Sequence, residues 1–199
     1  GAGRSDKEAQ LKIPMDDLSE NEQGLILSKK GPGRLYYRVG MKYAPKSLRL
    51  PAESRGFTVE RSFKGADDRA DVKQRENGDW KIRAGAKVEV TLTLSCPATR
   101  YHVALVDPLP AGLEPVNPAL DGTPSVNSDS SWWHWYDHEN LRDERVEVFS
   151  QMLSAGVRTY TYTALATTPG EYVLPPLKAE EMYSPEVFGR TAYGKLIVD

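Results

Sequence analysis

Cys96 is the one thiol in the chain and the first residue to test for chemistry. A reactive cysteine needs a depressed pKa and solvent access. Cys96 closes the run Leu92-Thr-Leu-Ser-Cys-Pro97, where it reads more naturally as a small apolar residue ending a buried strand. A single cysteine also excludes an internal disulfide and any multi-cysteine zinc site. The next concentration of chemistry is Ser131-Trp-Trp-His-Trp-Tyr136. Trp132, Trp133 and Trp135 offer a broad apolar surface with polar handles. Such a run can stack on sugar rings, with Asp129, Asp137 and Asn140 as polar partners. It can also contact a neighbouring domain, or fold back as a cap on its own core, the reading that the crowding of large rings favours. His134 and His138, beside Asp137 and Glu139, are zinc ligands by type. Histidines four apart share a face only on a helix, however, and this aromatic run is a poor helix without a third ligand at metal-site spacing.

His102 falls inside the strand-like run Tyr101–Asp107 and reads as a structural histidine. The paired acids Asp67-Asp68 and Glu180-Glu181 read as solvated surface. Arg142, Asp143, Glu144 and Arg145 form a charge cluster that serves either a docking surface or, the favoured reading, a solvated strand entry with little energy per exposed pair. The chain has no Gly-x-Ser-x-Gly elbow and no phosphate-binding loop. Basic residues are dispersed and the formal net charge is −2, which argues against nucleic acid. No apolar run approaches the length of a membrane span. The expectation is a non-catalytic chain without cofactor or metal.

The elements that position these residues are strands. In Lys87–Leu94, Val88, Val90, Leu92 and Leu94 share one face, while Glu89, Thr91 and Thr93 share the other. This period of two predicts a half-buried antiparallel strand. Leu35–Tyr43 alternates in the same way, and Gly31-Pro-Gly33 predicts a hairpin joining it to Leu25–Ser28. Phe57, Val59 and Phe63 line one side of Gly56–Phe63, with Arg61 breaking the pattern. Arg145–Phe149, Val157–Ala166, Glu171–Leu174 and Arg190–Val198 are further strands, rich in β-branched and aromatic residues. Asn77-Gly-Asp79 marks a turn before Trp80, and Val116–Asp137 reads as a long loop. Only Asp16–Gln23 offers a short helix. Strands at this spacing predict an all-β antiparallel sandwich. Residues 1–45 are too few to bury a core, so a boundary is expected near Ala44–Ser54. With no initiator Met and no signal-peptide core at its start, the chain reads as part of something longer.

Five segments stand out together: Gly33–Tyr43, Val106-Asp-Pro-Leu-Pro-Ala-Gly-Leu-Glu-Pro-Val116, Asn140-Leu-Arg-Asp-Glu-Arg-Val-Glu-Val-Phe149, Thr167–Ala179 and Glu180-Glu-Met-Tyr-Ser-Pro-Glu-Val-Phe-Gly-Arg190. Taken in this order, they resemble bacterial α2-macroglobulins. The resemblance implies that residues 1–45 are the tail of a CUB-type β domain. It implies that residues 46–199 are the C-terminal macroglobulin-like (immunoglobulin-like) sandwich of a broad-spectrum endopeptidase inhibitor. In that family a protease cleaves a bait region, a thioester is exposed, and the protease is trapped covalently. Cys96 is followed by Pro-Ala-Thr rather than Gly-Glu-Gln, so it is not the thioester cysteine. The family's Met-Tyr pair falls on Met182 and Tyr183, implying that they shield the parent's thioester. Tyr183-Ser-Pro-Glu186 is turn-like, which fits an exposed pair. Trp132, Trp133, Trp135, Arg142 and Asp143 are candidate interdomain contacts. The implied partners are the thioester and CUB-type domains of the same chain, target proteases, and a penicillin-binding peptidoglycan synthase. The implied location is the periplasm or cell envelope, in a defence role. The receptor-binding lysine helix of eukaryotic relatives has no counterpart here. The alternative is a carbohydrate-binding or adhesive sandwich that uses the tryptophans.

Overall fold

In a computed structural model of the protein, residues 11–14, 17–18, 24–41, 49–116 and 134–199 are described. The chain divides into two units, Gly1–Ala44 and Pro45–Asp199. In the first, Gly31 and Gly33 both take φ near 98°, which favours glycine. Lys29 Nζ closes the turn by donating to the carbonyls of Gly31 at 2.8 Å and Pro32 at 2.7 Å. The predicted hairpin strands do not form around this turn, for residues 24–30 and 34–41 carry no strand. Leu25, Ile26, Leu35, Tyr36, Tyr37, Val39 and Met41 are all exposed. Alternation alone does not make a strand, which also needs a ladder partner and a cover for its apolar face. The helix expected at Asp16–Gln23 lies largely outside the described residues, as do Trp132 and Trp133.

The second unit is built from strands β1 (Glu53–Arg55), β2 (Thr58–Gly65), β3 (Val72–Gln74), β4 (Trp80–Ile82), β5 (Lys87–Cys96), β6 (Arg100–Pro108) and β7 (Leu113–Pro115). They are followed by β8 (His138–Arg142), β9 (Arg145–Leu153), β10 (Gly156–Ala166), β11 (Gly170–Leu174), β12 (Lys178–Glu181), β13 (Ser184–Arg190) and β14 (Gly194–Val198). One sheet runs β1-β13-β12-β6-β9-β8, a second β2-β5-β10-β7, and a third β11-β14-β4-β3. Among the described residues, all strand pairs are antiparallel except β14 with β4. The β5 alternation holds, since Val88, Val90, Leu92 and Leu94 are each 0% exposed. Their face joins Val103 and Leu105 of β6, Val146 and Val148 of β9, and Tyr160 and Tyr162 of β10 in one apolar core. This is an all-β sandwich.

Two differences from the strand pattern have physical causes. The run Arg190–Val198 is two strands. β13 ends in the six-stranded sheet, the chain crosses at residues 191–193, and β14 enters the third sheet. Hydrogen bonds to Leu177 and Leu50 hold the crossing, with Thr191 N donating to Leu177 O at 3.0 Å and Tyr193 N to Leu50 O at 2.9 Å. Arg61 faces inward with the β2 apolar residues because it has a buried partner. Its guanidinium pairs with Asp107 of β6 and donates to Pro175 O at 2.7 Å. Tyr162 O–H donates to the second Asp107 oxygen at 2.7 Å. Desolvation pushes the Asp107 carboxyl above its ordinary pKa, while Arg61 and the Tyr162 hydroxyl oppose that. The cluster ties β2 and β10 of the second sheet to β6 of the six-stranded sheet. Close approach also shapes the sandwich at Gly189, where a Cβ would lie 2.4 Å from Phe57 O.

Two carboxylates at the periphery are displaced the other way. Asp71 accepts from Arg83 Nε at 2.5 Å, and Glu147 accepts from Arg145 Nε at 2.5 Å. These hydrogen bonds hold both below the usual carboxylate range, against the opposing effect of burial. The unfolded chain therefore takes up these protons at higher pH than the native one. The stability they confer is complete above the unfolded values, near about pH 4, and is lost as pH falls through the depressed native values. Thermal melts from pH 6 to pH 2 should show an acid limb that is shallower in Arg145→Gln and Arg83→Gln. An unchanged limb in both would contradict the assignment.

Candidate interdomain site

The turn between β12 and β13 carries Met182 and Tyr183. Ala179, fully buried, anchors β12 in the core, and the β12–β13 register shifts between Glu180 and Glu181. Past this bulge Glu181 still pairs with Ser184, which closes the chain into a tight turn at Met182 and Tyr183. Met182 is 52% exposed and Tyr183 80% exposed. The turn lies at Met182–Tyr183, one step earlier than Tyr183–Glu186, because Ser184–Glu186 already belong to β13. β6 fastens the turn. Met182 N donates to His102 O at 2.9 Å, and Tyr101 N donates to Glu181 Oε1 at 3.2 Å. Tyr101 and its ladder partner Met152 are exposed at the same end of the sheet.

His102 has φ of 52°, the one non-glycine residue with positive φ among those described. That conformation costs a non-glycine residue roughly 1–2 kcal/mol. Its imidazole meets the Tyr183 ring edge-on, with centroids 5.1 Å apart and planes at 87°. Sequence alternation reads His102 as an ordinary strand residue and carries no signal for this conformation.

The other candidate residues are used inside the domain. The Trp135 indole N–H donates to Thr159 O at 2.8 Å, and Ser150 Oγ donates to Trp135 O at 3.0 Å. Trp135 and Tyr136 pack on the core, and Tyr136 meets Tyr160 edge-on at 5.5 Å. Burial, with Glu139 beside it, pushes the Tyr136 hydroxyl up to about 12. His138 stacks on Phe149 and His134 lies against Tyr136. Glu139 accepts from Tyr160 O–H at 2.8 Å, and Asp137 accepts from Gln151 N at 2.6 Å. Among the described residues, no three His, Cys, Asp or Glu gather as a metal site. Arg142 lies 3.5 Å from Glu147, which also pairs with Arg145, and Asp143 is exposed in the β8–β9 turn.

Cys96 is 2% exposed, with Sγ 3.7 Å from Ser154 O, and burial pushes its thiol pKa up. Both facts oppose nucleophilicity. Native-state alkylation by iodoacetamide should proceed only as fast as the domain opens, with rapid labelling in denaturant. Fast labelling of the native chain would contradict this burial.

Residues 56–186 match the family model described as the bacterial α2-macroglobulin MG10 domain. The chain is 38% identical over 184 residues to circularly permutated Ras protein 2 of Dictyostelium discoideum, covering 92% of this chain and 4% of that protein. It is 28% identical over 204 residues to an α2-macroglobulin homolog of Nostoc, covering 99% of this chain and 10% of the relative. A crystal structure of Salmonella α2-macroglobulin reacted with methylamine superposes with a TM-score of 0.61 at 30% identity, over 77% of this chain and 10% of that one. The chain thus spans a tenth or less of the length of these relatives. The family match over residues 56–186 and the shared fold show that this chain belongs to the bacterial α2-macroglobulin family, through its MG10 domain.

Proposed function

We propose that this chain serves a protease trap as a non-catalytic domain, and that Met182 and Tyr183 shield the thioester of the parent protein. The observation that carries the reading is the exposure of two large side chains on a turn that two hydrogen bonds tie to β6. A thioester is an activated acyl group that water and amines destroy, so it persists only under an apolar cover. Met and Tyr offer such a cover without placing an amine or a thiol against the thioester. The Salmonella relative was crystallised after reaction with methylamine, the type of small nucleophile such a cover must exclude. The parent would then be a broad-spectrum endopeptidase inhibitor of the periplasm or cell envelope. Its MG10 domain would pack on the thioester and CUB-type domains, alongside a peptidoglycan synthase.

Oxidative footprinting of Met182 tests the contact directly. Met182 should oxidise readily in the 199-residue chain, be protected in the intact parent, and become reactive again after bait cleavage. Equal reactivity in all three states would contradict the proposal. The sugar-platform alternative gains nothing from Trp135, whose indole N–H is engaged within the domain.

A further inference from the structure

Resting on the shield reading, we infer that His102 is a positioning residue that holds Tyr183 in its projecting orientation. An exposed tyrosine on a turn ordinarily samples several rotamers, and a shield built from such a side chain would leak. Here the neighbouring strand restrains both parts of the turn. The His102 carbonyl accepts from Met182 N, and its imidazole abuts the Tyr183 ring edge-on.

The left-handed backbone at His102 gives this arrangement its geometry. The β6–β9 ladder keeps one register here, pairing Arg100 with Leu153, Tyr101 with Met152 and Val103 with Ser150, but His102 and Gln151, which stand opposite each other, are not paired. Gln151 N is satisfied instead by Asp137 Oδ2 at 2.6 Å. A strand residue in ordinary extended conformation would keep its ladder place. Glycine accepts the left-handed conformation freely, so backbone geometry alone does not call for a histidine. A non-glycine residue held at positive φ, with its side chain against another ring, points to a task for that side chain. The ring that the imidazole meets is Tyr183, with the perpendicular geometry that aromatic pairs prefer.

The 199-residue chain and its full-length parent together provide the test. In the chain, nuclear Overhauser contacts between the His102 and Tyr183 rings and the relaxation of the Tyr183 ring report its order. His102→Gly keeps the backbone conformation and removes the imidazole. It should free the Tyr183 ring without lowering the melt, since glycine also relieves the left-handed strain, and His102→Phe should restore the restriction. In the parent, His102→Gly should speed spontaneous thiol release roughly two- to tenfold, the factor to which one edge-to-face aromatic contact converts. It should add nothing when Tyr183 is already replaced by glycine. A Tyr183 ring equally restricted in His102→Gly would overturn the inference. So would unchanged thiol release in His102→Gly where Tyr183→Gly itself accelerates it. If Tyr183→Gly leaves release unchanged, the shield reading fails, and the ring measurements alone decide whether His102 positions Tyr183.

Discussion

Replacing Asp107 with alanine should cost the domain about 3–5 kcal/mol, the penalty for stranding a buried charge. Arg61 would remain almost wholly buried, with a side-chain exposure of 4%, facing a site that no longer carries an acceptor carboxylate. The Tyr162 hydroxyl would lose the same partner. For a domain of this size each kcal/mol moves the melting temperature by about 2–4 °C, so a fall of roughly 6–20 °C is expected. The loss belongs to the unpaired charge more than to the pair. Arg61→Met combined with Asp107→Leu should therefore recover more than half of it, because apolar replacements of similar volume leave no charge behind. Adding Tyr162→Phe removes the last orphaned hydroxyl. Denaturant melts of the single, double and triple variants check this. A single variant within about 2 °C of the parent chain would mean that the cluster does not clamp the sheets together.

This cluster also shows where sequence reading stops. Val88, Val90, Leu92 and Leu94 announce a buried strand face because one periodicity contains the whole signal, and all four are fully buried. Arg61 appears in the same kind of pattern only as a fault. Its partner Asp107 is 46 residues away, and nothing local links the two. The crossing at residues 191–193 is hidden for a related reason. Strand-forming residues continue through it, while the change of sheet depends on hydrogen bonds to Leu177 and Leu50. Leu35–Tyr43 errs in the opposite direction, with clear alternation and no ladder among the described residues. At the candidate site, resemblance to a family picked out Met182 and Tyr183. Their exposure and their fastening to β6 come from the structure. His102 carried no signal in either pattern or resemblance, since backbone handedness at one residue leaves no periodic trace.

The second large effect belongs to the parent protein. Met182→Ala with Tyr183→Gly should open the thioester to water before any protease arrives. Fully burying an apolar side chain of this size contributes about 1.5–3 kcal/mol, of which Met182, already half-buried, has about half left to gain. Removing both therefore makes an uncovered state roughly 10²–10³-fold more populated, at about tenfold per 1.4 kcal/mol. Hydrolysis that requires uncovering should rise by a similar factor. The sandwich should be indifferent, because Met182 is half exposed and Tyr183 is 80% exposed on their own domain. The decisive measurement is the titration of free thiol over time in the uncleaved double variant, beside the melting temperature of the 199-residue chain with the same changes. Early thiol release with an unchanged melt is the predicted result. A thiol that stays masked in the uncleaved parent, with a sharply lower melt of the domain, would show that these side chains serve the sandwich and not the thioester.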